Sequence, residues 1–169
     1  ELYYGTENEP VISKTKYCAG IEYDTDGRGN TIMNRYIGTD GRPMVREDLG
    51  YAEVRSEFNS IGDAIRTEYL DADGQLTELA GKGYAFLENR YEEGKCVETR
   101  YFDSMGNLRE REDTGYAVIK YTFDERGQRV SEMYYGADGG LTMNKESYCA
   151  GKIYTFDKTG NRTDLYYKG

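Results

Sequence analysis

The feature that most constrains this chain is an internal repeat of about 33 residues, a length typical of repeat units that stack. Each copy opens on an aromatic pair or a Tyr with a large apolar neighbour, reading YYG, YIG, YLD, YFD and YYG. These motifs begin at Tyr3, Tyr36, Tyr69, Tyr101 and Tyr134, at a constant interval that is one residue shorter only from Tyr69 to Tyr101. Units this short bury an apolar face only by stacking on a neighbouring copy. The spacing predicts one repeat domain over residues 1–169, with units 3–35, 36–68, 69–100, 101–133 and 134–166.

Two turns and an alternating segment mark the copies. A first turn follows the leading motif, as at Asp40-Gly41 and Asp73-Gly74, and a second turn reads FDERG from Phe123 and FDKTG from Phe156. Between turns the residues alternate, so that Ile119, Tyr121 and Phe123 share one face of a strand while Lys120 and Thr122 share the other. Asp and Gly at such turns favour hairpins, because Gly adopts positive φ and Asp bonds its own backbone. We therefore expect short strands joined by tight turns, without helices, in an all-β class. The predicted fold is an elongated tandem-repeat array, a β-hairpin solenoid of five units.

Composition excludes several classes of function. The chain has no His, so a Ser-His-Asp or Cys-His catalytic arrangement cannot be built. It has 31 acidic and 22 basic residues, a net charge of −9, which argues against a nucleic-acid partner. No apolar run approaches about 18 residues, so we expect no membrane insertion. No residue set breaks the repeat in a way that indicates a catalytic site, and we expect neither enzyme activity nor a cofactor.

Tyrosine is the main candidate for binding, since the chain has 18 Tyr and no Trp. Three positions of the repeat carry it: the leading position, a GYA position, and a more variable position occupied by Tyr23, Ser56, Asn89, Tyr121 and Tyr154. Tyr rings suit the apolar faces of sugars and attract quaternary ammonium groups. The same rings also serve as packing between copies, and the sequence leaves both interpretations open. The candidate ligand-binding residues are Tyr51, Tyr84, Tyr116, Tyr121 and Tyr154.

Acidic turns and cysteines raise two further questions. The segments Asp24–Gly27 and Asp71–Gly74 begin like half of a calcium loop, but the closing Glu is missing, so we expect turn chemistry and no metal site.

Cys18 and Cys149 occupy equivalent positions in the first and last copies, and Cys96 lies in the third. An odd count argues against a disulfide framework. We expect buried small side chains, with intermolecular bridging as the alternative.

The motifs also resemble a known style of repeat. Segments such as YFDSMGNLREREDTGYA (101–117), YLDADGQL and FDERGQRV resemble the aromatic and DxxG repeats of bacterial surface proteins, including choline-binding and glucan-binding cell-wall repeats and the YD repeats of Rhs-type proteins. The resemblance implies stacked β-hairpins that hold ligands between neighbours with aromatic residues, and a secreted or cell-surface bacterial location. The chain departs from this pattern in having no Trp, on which choline cages of that family rely.

Three hypotheses about function follow. The first is a non-catalytic module of a bacterial surface or secreted protein that binds carbohydrate or a cell-envelope polymer through Tyr-lined grooves. The second is a structural spacer or a protein–protein interaction module without a small ligand, in which the Tyr residues are core. The third is a homo-oligomer formed through open sheet edges, which are ready to pair with another chain.

Overall fold

The computed structural model describes residues 1–169 and contains ten β-strands and no helix. The prediction of an all-β chain built of hairpins without helices is therefore confirmed. The strands are β1 Gly20–Thr25, β2 Thr31–Ile37, β3 Glu53–Phe58, β4 Ala64–Leu70, β5 Phe86–Glu92, β6 Lys95–Phe102, β7 Val118–Phe123, β8 Arg129–Tyr135, β9 Gly151–Phe156 and β10 Arg162–Lys168.

The residues cluster into two compact units, Glu1–Ala80 and Gly81–Gly169. The first unit contains β1 to β4 and the second contains β5 to β10. Within each unit every strand pairs antiparallel with the strand that follows it in the chain. Strand order in the sheet thus follows chain order in both units, which is the arrangement that consecutive hairpins give.

The second turn of each copy closes a hairpin, as its sequence predicts. Between β7 and β8, Oδ1 of Asp124 accepts hydrogen bonds from the backbone N–H groups of Arg126 (3.0 Å) and Gln128 (2.8 Å). The turn between β5 and β6 is tighter, since Glu93 and Gly94 both have positive φ, 48° and 73°. Two such residues form the two-residue turn that matches the twist of flanking strands. This tighter turn accounts for the third copy being one residue shorter than the others.

The first turn behaves differently from the prediction. It forms one isolated bridge, such as Phe102 with Leu108, and then leads into an irregular loop instead of a second strand. The loop returns to the sheet at an Ala. In the fourth copy the N–H of Ala117 donates to the carbonyl of Tyr135 (2.8 Å), and its carbonyl accepts from the N–H of Tyr101 (2.9 Å). The expectation that both turns join strands is therefore wrong, because the loop backbone leaves the sheet after one bridge.

The two faces of the sheet differ in chemistry. On β7, Ile119 is buried, Tyr121 and Phe123 are half-buried, and Lys120 and Thr122 are exposed, which confirms the predicted alternation. The face that carries Lys120 is rich in ion pairs, and Lys120 itself lies 3.5 Å from Glu98. This face also carries aromatic rings, since the Lys120 ammonium lies 5.0 Å from the Tyr135 centroid. The candidate residue Tyr121 lies on the opposite face.

Candidate functional site

Three of the five candidate tyrosines lie in the core. Tyr51, Tyr84 and Tyr116 are 9%, 4% and 7% exposed, and each sits in the loop just before an odd-numbered strand. Their rings pack on the leading tyrosines: the Tyr51 centroid is 5.8 Å from that of Tyr36, and the Tyr116 centroid is 5.0 Å from that of Tyr134. The packing interpretation that the sequence left open applies to these three rings, which offer no open face to a ligand.

In the second unit this tyrosine cluster surrounds a cation of the chain itself. The Arg111 guanidinium lies 5.6, 4.8 and 5.8 Å from the ring centroids of Tyr84, Tyr101 and Tyr116. It also donates two hydrogen bonds to the Asp113 carboxylate, at 2.9 and 2.6 Å. Aromatic rings around a cation are the geometry of a quaternary ammonium cage. Here Arg111 occupies that position, so the cluster is filled and internally neutralised.

The other two candidates, Tyr121 and Tyr154, are only half-buried and lie in strands β7 and β9. The Arg129 guanidinium lies between them, 5.3 Å from the Tyr121 centroid and 5.7 Å from the Tyr154 centroid. Arg162 lies 5.8 Å from the Tyr154 centroid on the far side. We call Tyr121, Arg129, Tyr154 and Arg162 the aromatic–arginine row. It alternates rings and guanidinium groups across four successive strands.

Hairpin register explains why the row forms. Arg129 opens β8 opposite Phe123, and Arg162 opens β10 opposite Phe156. In both hairpins the register shifts near this pair, at Thr122/Phe123 and at Arg162/Asp164. Such a bulge re-aims the side chains beside it. The arginine of each hairpin therefore lies beside the ring of its own odd-numbered strand.

A buried carboxylate, that of Glu132, contacts one arginine of the aromatic–arginine row. Glu132 is 6% exposed, and its Oε1 accepts hydrogen bonds from the Tyr134 hydroxyl (2.6 Å) and the Lys152 ammonium (2.9 Å). A terminal nitrogen of Arg129 lies 3.4 Å from Oε2. Burial acts to raise the pKa of Glu132, but these donors together hold that pKa below its usual value. Burial and the bond to Glu132 raise the pKa of Tyr134 to about 12, so Glu132 is charged and Tyr134 neutral at pH 7.

A shallow cleft opens beside the row. Its walls are Gln128, Arg129, Tyr154, Phe156 and Arg162, with no acidic residue among them. The Gln128 amide nitrogen donates to the Gly160 carbonyl at 2.9 Å, which fixes the orientation of the amide. Its Oε1 is shielded from solvent and has no hydrogen-bond partner. The cleft thus combines an apolar ring face with two guanidinium groups, and the unsatisfied Gln128 acceptor lies shielded in its wall.

The acidic turns use their carboxylates for the backbone, as expected. In the first hairpin Oδ1 of Asp26 accepts from the N–H groups of Arg28 (2.8 Å) and Asn30 (2.9 Å). Oδ1 of Asp71 similarly accepts from Asp73 and Gln75, at 3.0 and 2.9 Å. Nowhere do three or more Asp, Glu or Cys side chains converge as a metal site would require. These carboxylates serve turn geometry.

The cysteines are unpaired. Cys18 and Cys149 are 0% and 2% exposed, and Cys96 is half-buried, and all three are free thiols. The interpretation of Cys18 and Cys149 as small buried side chains is confirmed. Both stand where the middle copies have Tyr51, Tyr84 and Tyr116. Both sulfurs are buried in the folded chain, so the alternative of an intermolecular bridge through either thiol would require local opening.

The sequence predicted the two tyrosines of the aromatic–arginine row as candidates but not its two arginines. Arg129 and Arg162 hold the same position in the last two copies, and each follows its Tyr by eight positions: Tyr121 to Arg129 and Tyr154 to Arg162. In the other copies the arginine position holds Thr31, Ala64 and Cys96. A copy-by-copy comparison of polar residues, extended beyond tyrosine, would have identified both arginines.

Comparisons with known proteins assign no family. No protein-family model matches the chain, and its sequence matches no curated protein. The chain also lacks any helix with the length and apolar character needed to cross a bilayer.

Proposed function

We propose that this chain is a non-catalytic β-hairpin repeat module of a bacterial surface or secreted protein, and that it binds carbohydrate or a cell-envelope polymer. The observation that carries the proposal is the aromatic–arginine row, in which Tyr121 and Tyr154 are half-buried and Tyr154 lines a cleft. A half-open Tyr offers an apolar face for a sugar ring, and guanidinium groups at its edge donate to hydroxyl oxygens. The location follows from the resemblance of the motifs to surface repeats.

The proposal includes the five-unit solenoid. Its support is that the odd-numbered strands begin at Gly20, Glu53, Phe86, Val118 and Gly151, at the same intervals as the leading tyrosines. The same backbone bonds also recur, since Tyr3, Tyr36, Tyr101 and Tyr134 each donate an N–H to an Ala carbonyl at 2.8–2.9 Å. Recurrence of strand starts and hydrogen bonds at one period is what tandem copies of one supersecondary unit give.

The charged neighbours make the row suitable for recognition of a polar ligand. Arg162 is exposed and has no carboxylate partner, so its donors are open to a ligand. Arg129 is held on one side by Glu132 and stacks between the two rings. A ligand that lies along the row would meet rings and donors in alternation. This pattern matches a polymer of sugar rings separated by polar linkages.

The experiment is a binding titration of the full chain against soluble glucans, peptidoglycan fragments and teichoic acid. We expect Tyr154→Ala to weaken binding by about tenfold, and Tyr154→Phe to retain it because the ring face persists. The matched control is Tyr23→Ala, which removes the equivalent ring in the first copy, where Tyr23 is exposed and meets no guanidinium. Far-UV circular dichroism checks folding of each variant. Absence of binding to every polymer at millimolar concentration would refute the proposal.

A second candidate is a structural spacer or protein-interaction module. The observation that favours it is the burial of Tyr51, Tyr84 and Tyr116, which lie in the core with the leading tyrosines Tyr36, Tyr101 and Tyr134. Under this alternative the chain has no specific affinity for the polymers, so neither Tyr154→Ala nor Tyr23→Ala changes the result of the binding titration. The titration above therefore decides between the two candidates.

Self-association through a sheet edge is the third candidate. The edge of β1 is partly covered, since the N–H of Ile21 donates to the Glu1 carbonyl and the N–H of Tyr3 to the Ala19 carbonyl, both at 2.8 Å. The edge strand β10 instead carries charged residues at Arg162, Asp164 and Lys168, a device that discourages pairing. Light scattering over a concentration series tests it, and a constant monomer mass would exclude it.

A further inference from the structure

The cleft beside Tyr154 is positively charged in an acidic protein. Its wall contributes Arg129 and Arg162, and Lys152 lies beneath it against Glu132. No acidic residue lines this wall, whereas the chain as a whole has a net charge of −9. A positively charged patch on an acidic protein attracts anionic ligands. Neutral sugars alone do not require such a patch.

The two arginines are not equivalent. Arg129 is held by Glu132 at 3.4 Å and by two rings, so much of its charge is already balanced. Arg162 is exposed, makes no ion pair, and contacts only the Tyr154 ring, at 5.8 Å. A guanidinium fork matches the paired oxygens of a carboxylate or phosphate. Arg162 therefore has an unused bidentate donor at the mouth of the cleft.

Acids near the cleft do not satisfy Arg162. The Asp157 carboxylate accepts from the N–H groups of Thr159 (2.8 Å) and Asn161 (2.9 Å), within its own turn. The Asp164 carboxylate accepts from the Thr155 hydroxyl at 3.1 Å. Neither carboxylate forms an ion pair with Arg162, so the donors of Arg162 remain available to a ligand.

The cleft wall also contains a hydrogen-bond acceptor without a donor, Oε1 of Gln128. Oε1 of Gln128 is buried without a hydrogen-bond partner, while the amide nitrogen is tied to Gly160. A buried unsatisfied acceptor costs free energy that a hydroxyl donor would recover. Oε1 is shielded from solvent in the unliganded chain, so a ligand hydroxyl reaches it only when the Gln128 side chain shifts toward the cleft. A ligand with a hydroxyl next to an anionic group would then satisfy Gln128 and Arg162 together. Acidic sugars and polyol phosphates have that combination.

We infer that the cleft selects an anionic polymer: a carboxylate or phosphate binds Arg162, a sugar or polyol face rests on Tyr154, and a hydroxyl faces Gln128. This inference rests on the proposed binding function and specifies its ligand class. The shared chemistry is an anion next to hydroxyl groups. Its source is either a uronic acid or a phosphodiester-linked polyol.

The test is isothermal titration of the full chain with three probes: oligogalacturonate, its fully methyl-esterified form, and polyglycerol phosphate. The esterified form keeps the sugar backbone and replaces each carboxylate with a neutral methyl ester. We expect the acidic oligomer to bind at least about tenfold more tightly than the ester, with affinity falling as salt is raised. Tighter binding of polyglycerol phosphate than of the ester supports the inference with phosphate as the source.

Arg162→Gln is the decisive variant, and we expect it to lower affinity for the acidic probe at least about tenfold. Its control is Arg42→Gln, which makes the same change of net charge at an exposed arginine of the first unit. Equal affinity for acid and ester, or no effect of Arg162→Gln, overturns the inference and leaves the proposed function in place. Failure of every probe and of the neutral glucans overturns both.

Discussion

Gly50 makes the sharpest test of how the loops pack in the first unit. Its φ is +82°, and a Cβ added there would lie 2.9 Å from the backbone nitrogen of Ala80 and 3.2 Å from the Glu78 carbonyl oxygen. Both contacts are backbone atoms, which cannot rotate away. Gly74 in the same unit has nearly the same φ, +79°, with no atom within 4 Å of such a Cβ. Alanine substitutions at Gly50 and Gly74 therefore separate the cost of a positive φ from the cost of close contacts.

The two substitutions to Ala should differ in cost. A left-handed φ costs a non-Gly residue about 1–2 kcal/mol, and the reduced entropy of the unfolded chain returns about 0.4–1 kcal/mol. Gly74→Ala should therefore lower the free energy of unfolding by about 1 kcal/mol. Gly50→Ala adds overpacking of about 1–3 kcal/mol, for a total of about 2–4 kcal/mol.

Urea titration monitored by far-UV circular dichroism gives both free energies of unfolding. The slope of unfolding free energy against urea should match that of the unsubstituted chain, which shows that the folded state has kept its compactness. Equal losses for the two variants, within about 0.5 kcal/mol, would refute the close loop packing at Gly50.

Two further predictions concern a turn and the thiols. Hydrogen bonds from Thr159, and then from Asn161, lower the pKa of Asp157 from 3.8 to about 2, so its contribution to stability is complete above pH 3.8 and is lost as the pH falls through about 2. Urea titrations over this range should show the loss, and Asp157→Asn, which keeps the acceptor oxygen, should be less sensitive to pH; an identical dependence in the variant would contradict this role. Ellman's reagent should modify half-buried Cys96 in the folded chain, and Cys18 and Cys149 only on unfolding; three equal rates would contradict their burial.

The strands were predictable because their signals are local. Alternation at Ile119, Tyr121 and Phe123 depends only on the two-residue period of a strand, and the FDERG turn depends on bonds within five residues. The loop after the first turn was not predictable in this way. Its Asp-Gly sequence resembles that of a hairpin turn, yet its path depends on hydrogen bonds to distant residues, such as those that Ala117 makes with Tyr101 and Tyr135.

The repeat pattern likewise did not predict which tyrosines are buried. Tyr116 and Tyr121 are five residues apart in one copy, and both rings suit packing or binding. Tyr116 is buried because the loop brings it against Tyr134 and the Arg111 guanidinium, whereas Tyr121 lies further along the strand and stays half-open. The contact with Tyr134 joins two copies, so spacing within a single copy does not encode it. Composition therefore pointed to tyrosine as a candidate binding residue without separating core rings from available ones.

Comparison between copies carries more information about function than the repeat itself. Equivalent positions of a repeat share one backbone environment, so a residue that packing demands should recur in every copy. The leading Tyr does recur, and its rings are largely buried. Only the last two copies combine Tyr with Arg eight residues later, and only there do rings and guanidinium groups alternate beside a cleft. Since Thr31, Ala64 and Cys96 occupy the arginine position in the other copies, the shared fold does not require an arginine there, and we propose that Arg129 and Arg162 serve recognition of a ligand.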